Sequence, residues 1–229
     1  MKDEIDFLLD VFRQLLGGLP LTLELTVASV VCGAMLALAM ALLRAGSRLG
    51  AVFVRFYVFV FRGSPLLLQI FFIYYGLGQF AFVRNSFAWP ALRDPTFCAI
   101  LALALNTAAY TSEILRGGLA SVPAGAVEAG RTVGMSRVML LRRVVLPLAI
   151  RQALPAYSNE LIAMVKSTSL ASIVTLMEIS GVAYALVSST YRAVEVLSCA
   201  GAIYLVLIVL LTRGVGRVEM WLSPAGSRA

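Results

Sequence analysis

Long apolar runs constrain this chain more than any other feature. A helix that crosses a bilayer needs about 20 mostly apolar residues, and five stretches qualify: near Leu19–Leu43, within Ala51–Phe82, near Pro95–Leu115, near Leu154–Met177 and near Val194–Thr212. Together they leave only short connectors in 229 residues, so no separate soluble domain fits. The charged fraction is 14%, against roughly a quarter in ordinary soluble domains. The expected fold is an all-α membrane protein with five transmembrane helices.

Charge placement gives the orientation. The formal charge is +7, but the arginines are strung between apolar runs instead of clustered on one polar face, which argues for topology over nucleic-acid binding. Connectors after the first, third and fifth spans hold Arg44, Arg48 and Arg55, then Arg116, Arg131, Arg137, Arg142, Arg143 and Arg151, then Arg213, Arg217 and Arg228. The other side has Lys2, Arg13, Arg84, Arg93 and Arg192. The excess places the N-terminus outside and the C-terminus in the cytoplasm. The acids Asp3, Glu4, Asp6 and Asp10 are the wrong charge for a cleavable signal, so the first span is retained. The expected organisation is an outer segment at 1–18, a transmembrane domain at 19–215 with a cytoplasmic loop at 117–152, and a cytoplasmic tail at 216–229. The chain has no histidine, and Cys32, Cys98 and Cys199 stand singly, which argues against disulfide frameworks and metal sites.

One run is interrupted. Arg62-Gly63-Ser64-Pro65 falls inside the second apolar stretch, where proline removes a backbone donor and disfavours helix at the residue before it. The segment is either an interfacial helix turning into the membrane or a break lining a cavity, since freed backbone groups at membrane depth must be satisfied by protein or cavity water. No other interrupted run is evident.

The loop after the third span is too polar to span and too apolar to be disordered. Pro123 suits a first helical position, Glu128 falls early in that helix where a carboxylate favours the dipole, and Gly134 punctuates it. Ser136 suits a cap for a second short helix through Met139, Leu140, Arg143 and Val144, which Leu146-Pro147 is expected to end. Such a hairpin could lie on anionic headgroups or dock a cytoplasmic partner.

Five groups are ionisable at or near membrane depth: Glu24, Glu113, Glu160, Lys166 and Glu178. Glu113 has Arg116 three residues on and reads as an intrahelical pair. Glu24 and Glu178 sit near outer ends, where water reaches them. Glu160 has no cation at helical-neighbour positions, because Ala156, Tyr157, Ala163 and Met164 flank it and Lys166 points to another face. It either bonds to another helix or water, or faces a path through the membrane. Asn159, Tyr110 and Ser64 are candidates of the same kind, each also readable as hydrogen-bond glue between helices.

The loop residues carry a resemblance. Glu128-Ala129-Gly130, then Gly134, then Val144-x-Leu146-Pro147 matches in spacing the loop signature of ABC importer permeases, Glu-Ala-Ala, three residues, Gly, nine residues, Ile-x-Leu-Pro, with Gly130 for the second Ala and Val144 for Ile. Phe61-Arg62-Gly63-Ser64-Pro65-Leu66-Leu67, Asn106-Thr107-Ala108-Ala109-Tyr110 and Leu154-Pro155-Ala156-Tyr157-Ser158-Asn159-Glu160 extend it over nearly the whole chain. The sequence is similar to the polar amino-acid uptake branch, most closely its M-type subunits for octopine, nopaline, histidine or arginine. The resemblance implies a MetI-like transmembrane domain in a bacterial inner membrane. The loop helix, with Glu128, Ala129, Gly130, Gly134, Leu146 and Pro147, would couple it to an ATPase. It implies a second permease subunit in a heterodimer, two ATPase subunits and a periplasmic solute-binding protein. It also implies that Glu160, with Asn159, Tyr110 and Ser64, meets a basic amino acid or opine.

The chain lacks a phosphate-cradling Gly-x-x-x-x-Gly-Lys-Ser/Thr loop, since Lys166-Ser167 is preceded by Val165 with Glu160 where the first glycine belongs. It is therefore expected not to be an enzyme and to carry no cofactor, with ATP and magnesium bound by the partner ATPase. The alternative is a stand-alone secondary transporter or channel, which would show discontinuous helices in paired positions. An intramembrane enzyme finds no support in paired carboxylates or a motif-embedded nucleophile.

Overall fold

The computed structural model describes residues 2–222, and Met1, Arg228 and the rest of the tail beyond position 222 lie outside the described residues. Among those described, every regular element is a helix. Helix α1 (Lys2–Leu16) has an acidic face and an apolar one. After Gly17-Gly18 the chain turns into α2 (Leu19–Gly46), which Pro20 starts in the first turn, where a missing N–H costs nothing. Ser47 caps α3 (Arg48–Gly63) by accepting from the Gly50 N–H. Beyond the break, α4 (Leu66–Phe71) runs through a widened turn at Phe72–Gly76 and a tight one at Leu77–Gln79. Two single turns, α5 (Ala81–Arg84) and α6 (Trp89–Leu92), lead to α7 (Pro95–Ala120). Asp94 caps that helix with its carboxylate on the Thr96 N–H at 2.9 Å.

Helix α7 is the axis of the bundle. Its buried residues are mostly small: Cys98, Ala99, Ala102, Ala104, Thr107, Ala108, Ala109, Ser112 and Gly118. Small side chains let helix backbones approach closely where lipid supplies no hydrophobic drive for packing. On α2 the buried stripe Thr22, Ser29, Gly33 and Ala37 meets α7, and a methyl group on Gly33 would overlap Thr107 and lie 3.1 Å from the Ala104 carbonyl oxygen. On the other side, a methyl group on Gly118 would lie 2.7 Å from the Ala149 carbonyl oxygen. The outward surfaces of α2 and of the last helix are apolar, with Val31, Met35, Leu38, Leu205, Val206 and Leu210 exposed.

The loop after α7 forms α8 (Ala124–Thr132) and α9 (Arg137–Leu140), with Pro123 in extended conformation just before α8 instead of inside its first turn. Gly134 adopts φ +79° and ends α8 in a double hydrogen-bonded turn, Gly134 N–H to Arg131 O at 3.0 Å and Met135 N–H to Gly130 O at 3.1 Å. Ser136 caps α9 on the Met139 N–H at 3.3 Å. Leu146-Pro147 does not end this second helix, contrary to expectation. A widened turn at Leu141–Val145 carries the chain straight into α10 (Leu146–Ser167), and Pro147 lies in the first turn of α10, where its missing donor is absorbed.

The fourth span also departs from expectation. Instead of one helix near Leu154–Met177, α10 tightens into a narrow turn at Thr168–Val174 and breaks at Thr175, whose φ is +66°. The chain restarts as α11 (Ile179–Thr190), and α12 (Ala193–Leu222) follows. Three helical stretches are long and apolar enough to cross a membrane, or five if each bent pair is one span. The bent pairs turn by 104° at Ser64-Pro65 and by 49° before Ile179, so two runs are interrupted where the sequence displays one.

Glu178 explains the second break, and it is not wet. It is fully buried, and its carboxylate accepts from the Ser180 N–H at 3.0 Å, the Gly181 N–H at 2.9 Å and the Tyr204 hydroxyl at 2.7 Å. The Thr22 hydroxyl accepts from the Ile179 N–H at 3.3 Å, and Gly18 packs so closely on Glu178 that a methyl group there would come within 2.6 Å of its carbonyl carbon. The Glu178 side chain thus caps α11 and holds α12 against it, while the Glu178–Ile179 backbone packs on the α1–α2 turn. Glu178→Ala strips the Ser180 and Gly181 N–H groups of their acceptor, at about 1–3 kcal/mol for each group left unsatisfied, and leaves the Tyr204 hydroxyl with Ser180 alone. The assembled protein should lose several degrees of thermal midpoint, and an unchanged midpoint would remove Glu178 from this role.

Candidate functional site

The break at Arg62–Pro65 builds the site. Proline cannot donate, and the α3 carbonyls near the break lose their helical partners. Gln69, buried one turn into α4, supplies them: its amide nitrogen lies 2.9 Å from Phe61 O, 3.1 Å from Ser64 O and 2.9 Å from Ser64 Oγ. Asn106 on α7 donates to Gln69 Oε1 at 3.1 Å and reaches Phe61 O at 3.3 Å. The Tyr57 hydroxyl donates to Leu105 O at 2.6 Å and fastens α3 to the same helix. Neither Gln69 nor Asn106 was singled out from sequence as a site residue; the signal was a polar amide one turn after a proline break within an apolar run.

A cavity of about 370 Å³ opens beside this knot, lined by Ser64, Pro65, Leu66, Asn106, Tyr110, Glu160, Ala163, Met164 and Ser167. The cavity gathers three of the four membrane residues singled out from sequence. Ser64 is there, but its hydroxyl serves the break, donating to Val60 O at 2.8 Å. Tyr110 presents its ring with the Arg62 guanidinium above it, 4.9 Å from the ring centroid. Glu160 accepts from the Thr107 hydroxyl at 2.7 Å, its only hydrogen bond among the described residues. Asn159 is exposed and outside the cavity. A second groove of similar volume, between α2, α7 and α10, has almost purely apolar walls such as Leu38, Ile114 and Ile150, and holds no charge.

The remaining ionisable groups serve other ends. Glu113 pairs with Arg116 at 2.7 Å, as its spacing predicts, and also with Arg44 of α2 at 2.7 Å, a contact across 69 residues of sequence. Glu24 is exposed on α2.

The cytoplasmic-loop residues divide by face. Glu128 and Ala129 are exposed on α8, whereas Gly130 is buried against α9, where a methyl group would overlap the Leu140 side chain. That contact accounts for glycine at this position. Gly134 closes the helix, and Leu146 and Pro147 stand at the start of α10, with Leu146 on the apolar groove.

Comparison with known proteins gives consistent matches. Residues 29–220 match the family model described as binding-protein-dependent transport system inner membrane component. The chain is 59% identical over 220 residues to an octopine transport system permease protein of Rhizobium radiobacter, covering 95% of this chain and 89% of that protein. It is 48% identical over 223 residues to a nopaline transport system permease protein of Agrobacterium fabrum, covering 96% and 92%. A crystal structure of an amino acid ABC transporter with histidines superposes with a TM-score of 0.80 at 33% identity, covering 91% of this chain and 94% of that one. An inward-facing MetNI methionine ABC transporter gives 0.71 at 20% identity, covering 93% and 97%, a likeness of fold alone.

The amide knot at the break is open to direct test. Gln69→Leu roughly keeps the volume but leaves the Ser64 carbonyl without its donor and the Phe61 carbonyl with Asn106 alone. Amide hydrogen exchange across 63–69 should accelerate by about tenfold or more, the scale of one to two buried hydrogen bonds. Protection equal to that of the unaltered protein would mean that the knot does not hold the break.

Proposed function

The chain belongs to the family of binding-protein-dependent transport system inner membrane components, and from that premise we propose that it imports basic amino acids or opines, with Glu160 receiving the cationic end of the solute. The observation that carries this reading is the position of Glu160. Its carboxylate lines a cavity at the broken helix, takes one hydroxyl donor and has no cation within ion-pair distance among the described residues. A carboxylate so placed in a low-dielectric interior attracts a guanidinium or ammonium group far more strongly than it would in water. The octopine and nopaline permeases it resembles, and the transporter with histidines, are named for solutes of this chemistry. Tyr110 and Ser64 contribute cavity wall; Asn159 is outside it in this conformation.

The drive comes from outside the chain. Glu128 and Ala129 on the exposed face of α8 form the docking surface for an ATPase, and Gly130, Gly134, Leu146 and Pro147 hold that helix and lead it into α10. ATP and magnesium bind the ATPase, not this chain. The working unit is a second permease subunit in heterodimer with this one, two ATPase subunits and a periplasmic solute-binding protein. The arginine bias supports an N-terminus in the periplasm and a C-terminus in the cytoplasm. Two broken helices would also suit a stand-alone transporter, so the case against one rests on the family and not on a count of breaks.

Glu160→Gln preserves shape and the Thr107 hydrogen bond while removing the charge. Uptake of octopine or L-arginine by the assembled complex should fall by about tenfold or more, in keeping with 1.5–3 kcal/mol for a hydrogen bond to a charged group. Unchanged rate and saturation would discard the cavity role.

A further inference from the structure

Helix α12 is joined to its neighbours at two places by the same kind of bond, a hydroxyl donating to a carboxylate. In its first half the Tyr204 hydroxyl donates to Glu178 at 2.7 Å and lies 3.2 Å from the Ser180 hydroxyl. Near its other end Glu219 accepts from the Ser158 hydroxyl of α10 at 2.7 Å, across 61 residues of sequence. Packing differs along the helix. Val196, Ala200 and Ile203 are buried against α1 and α11, whereas from Tyr204 to Trp221 no side chain is buried. Beyond Tyr204, among the described residues, Ser158–Glu219 is the one hydrogen bond from α12 to another element. Glu219 also stands where a carboxylate is disfavoured, near the negative end of the helix dipole. No cation pairs with it among the described residues, although Arg213 and Arg217 share its helix. The Ser158 hydroxyl has one proton and two acceptors in reach, Leu154 O at 2.8 Å and Glu219, and the carboxylate makes the stronger bond. What this acid does is join two helices.

Helix α10 reaches α11 by two routes. Along the chain the connection is interrupted, first by the narrow turn at Thr168–Val174 and then by the break at Thr175, with a bend of 49°. The other route is α12, unbroken from Ala193 to Leu222. From Tyr204 to Glu219 it covers about 22 Å at about 1.5 Å per residue. We propose that α12 is a connecting rod that carries movement of α10 to α11 and the α1–α2 turn, with Ser158–Glu219 as its joint at one end and Tyr204–Glu178 at the other. This rests on the importer reading given above, in which an ATPase moves α8. Apolar helix faces slide past one another at little cost, whereas a hydrogen bond to a carboxylate fixes register. Glu219 is thus a positioning residue, remote from both the cavity and the cytoplasmic loop, whose task is to keep α12 in step with α10.

The test measures L-arginine taken up per ATP hydrolysed by the complete permease–ATPase complex in proteoliposomes with its solute-binding protein. Glu219→Ala and Ser158→Ala should each lower that ratio by about tenfold, the scale of one hydrogen bond to a charged group, while ATP hydrolysis is retained. The two together should be no worse than either alone, because they remove the same joint. Glu219→Gln, which keeps an acceptor oxygen, should fall between. Tyr204→Phe should lower the same ratio and add nothing to Glu219→Ala, because both cut one line. If Glu219→Ala leaves the ratio unchanged, or lowers uptake and hydrolysis in proportion along with the thermal midpoint, the bond is only structural and the proposal is overturned while the importer reading stands. Additive losses from Glu219→Ala and Tyr204→Phe overturn the single line in the same way. If the alanine variants do not assemble, Glu219→Gln and Tyr204→Phe decide, and full coupling in both overturns the proposal. Absence of ATP-dependent uptake by the unaltered complex overturns the importer reading, and this one with it.

Discussion

Inside a bilayer no water is at hand to bond a stray carbonyl, and that constraint shapes the whole middle of this molecule. Wherever α3 gives way at Pro65, the carbonyls it frees must find donors within the protein. Gln69 reaches back to two of them, and Asn106 braces Gln69 from α7. The requirement is local, but its consequence is a fixed bend of 104° anchored to the central helix. The bend holds the cavity open between α3, α7 and α10. The same solution recurs at the second break, where Glu178 meets the first amides of α11. In both places a polar side chain that would be costly in lipid becomes affordable because it satisfies backbone that would cost as much.

Close packing makes those bonds possible. Gly33 against Thr107 and Gly118 against Ala149 bring α2 and α10 to α7 at backbone distance. Side chains as short as Thr107 and Asn106 then reach across to Glu160 and Gln69. A leucine in place of any of these small residues would separate the helices and break the polar contacts along with the packing.

Which parts of this could be read from sequence follows from how local each signal is. Apolar runs long enough to cross a membrane announce themselves, and so does a proline inside one of them. Ser136 and Gly134 were legible because a cap and a left-handed turn need particular side chains at particular places. Leu146-Pro147 misled because proline signals a helix end and a helix start equally well, and only the widened turn before it decides. The break before α11 left no comparable mark: Thr168–Val174 contains neither glycine nor proline, and Glu178 looks like any carboxylate near a span end until Tyr204, 26 residues on, is known to donate to it. Glu160 stood out for lacking a cation nearby in sequence, but its partner Thr107, 53 residues away, required the fold.

The geometry also constrains how work done at the cytoplasmic loop could reach the cavity. From Arg137 through the widened turn at Leu141–Val145 and on to Ser167 the helix is continuous. Glu160 lies 13 residues beyond Pro147, which at about 1.5 Å per residue puts it roughly 20 Å along the rod. Helix α8 is packed on the start of that rod through Gly130 and Leu140. A push on α8 therefore meets α9 and the widened turn first, and reaches α10 through their continuity with it. Along the way Pro155 leaves the Arg151 carbonyl without its helical donor, the one point between Pro147 and Glu160 where the ladder is interrupted and bending is easiest. Motion at the loop would either carry Glu160 with it or flex the helix at Pro155, and the first outcome changes the distance between Glu160 and the Ser64–Leu66 side of the cavity, which Gln69 and Asn106 anchor to α7 and not to α10.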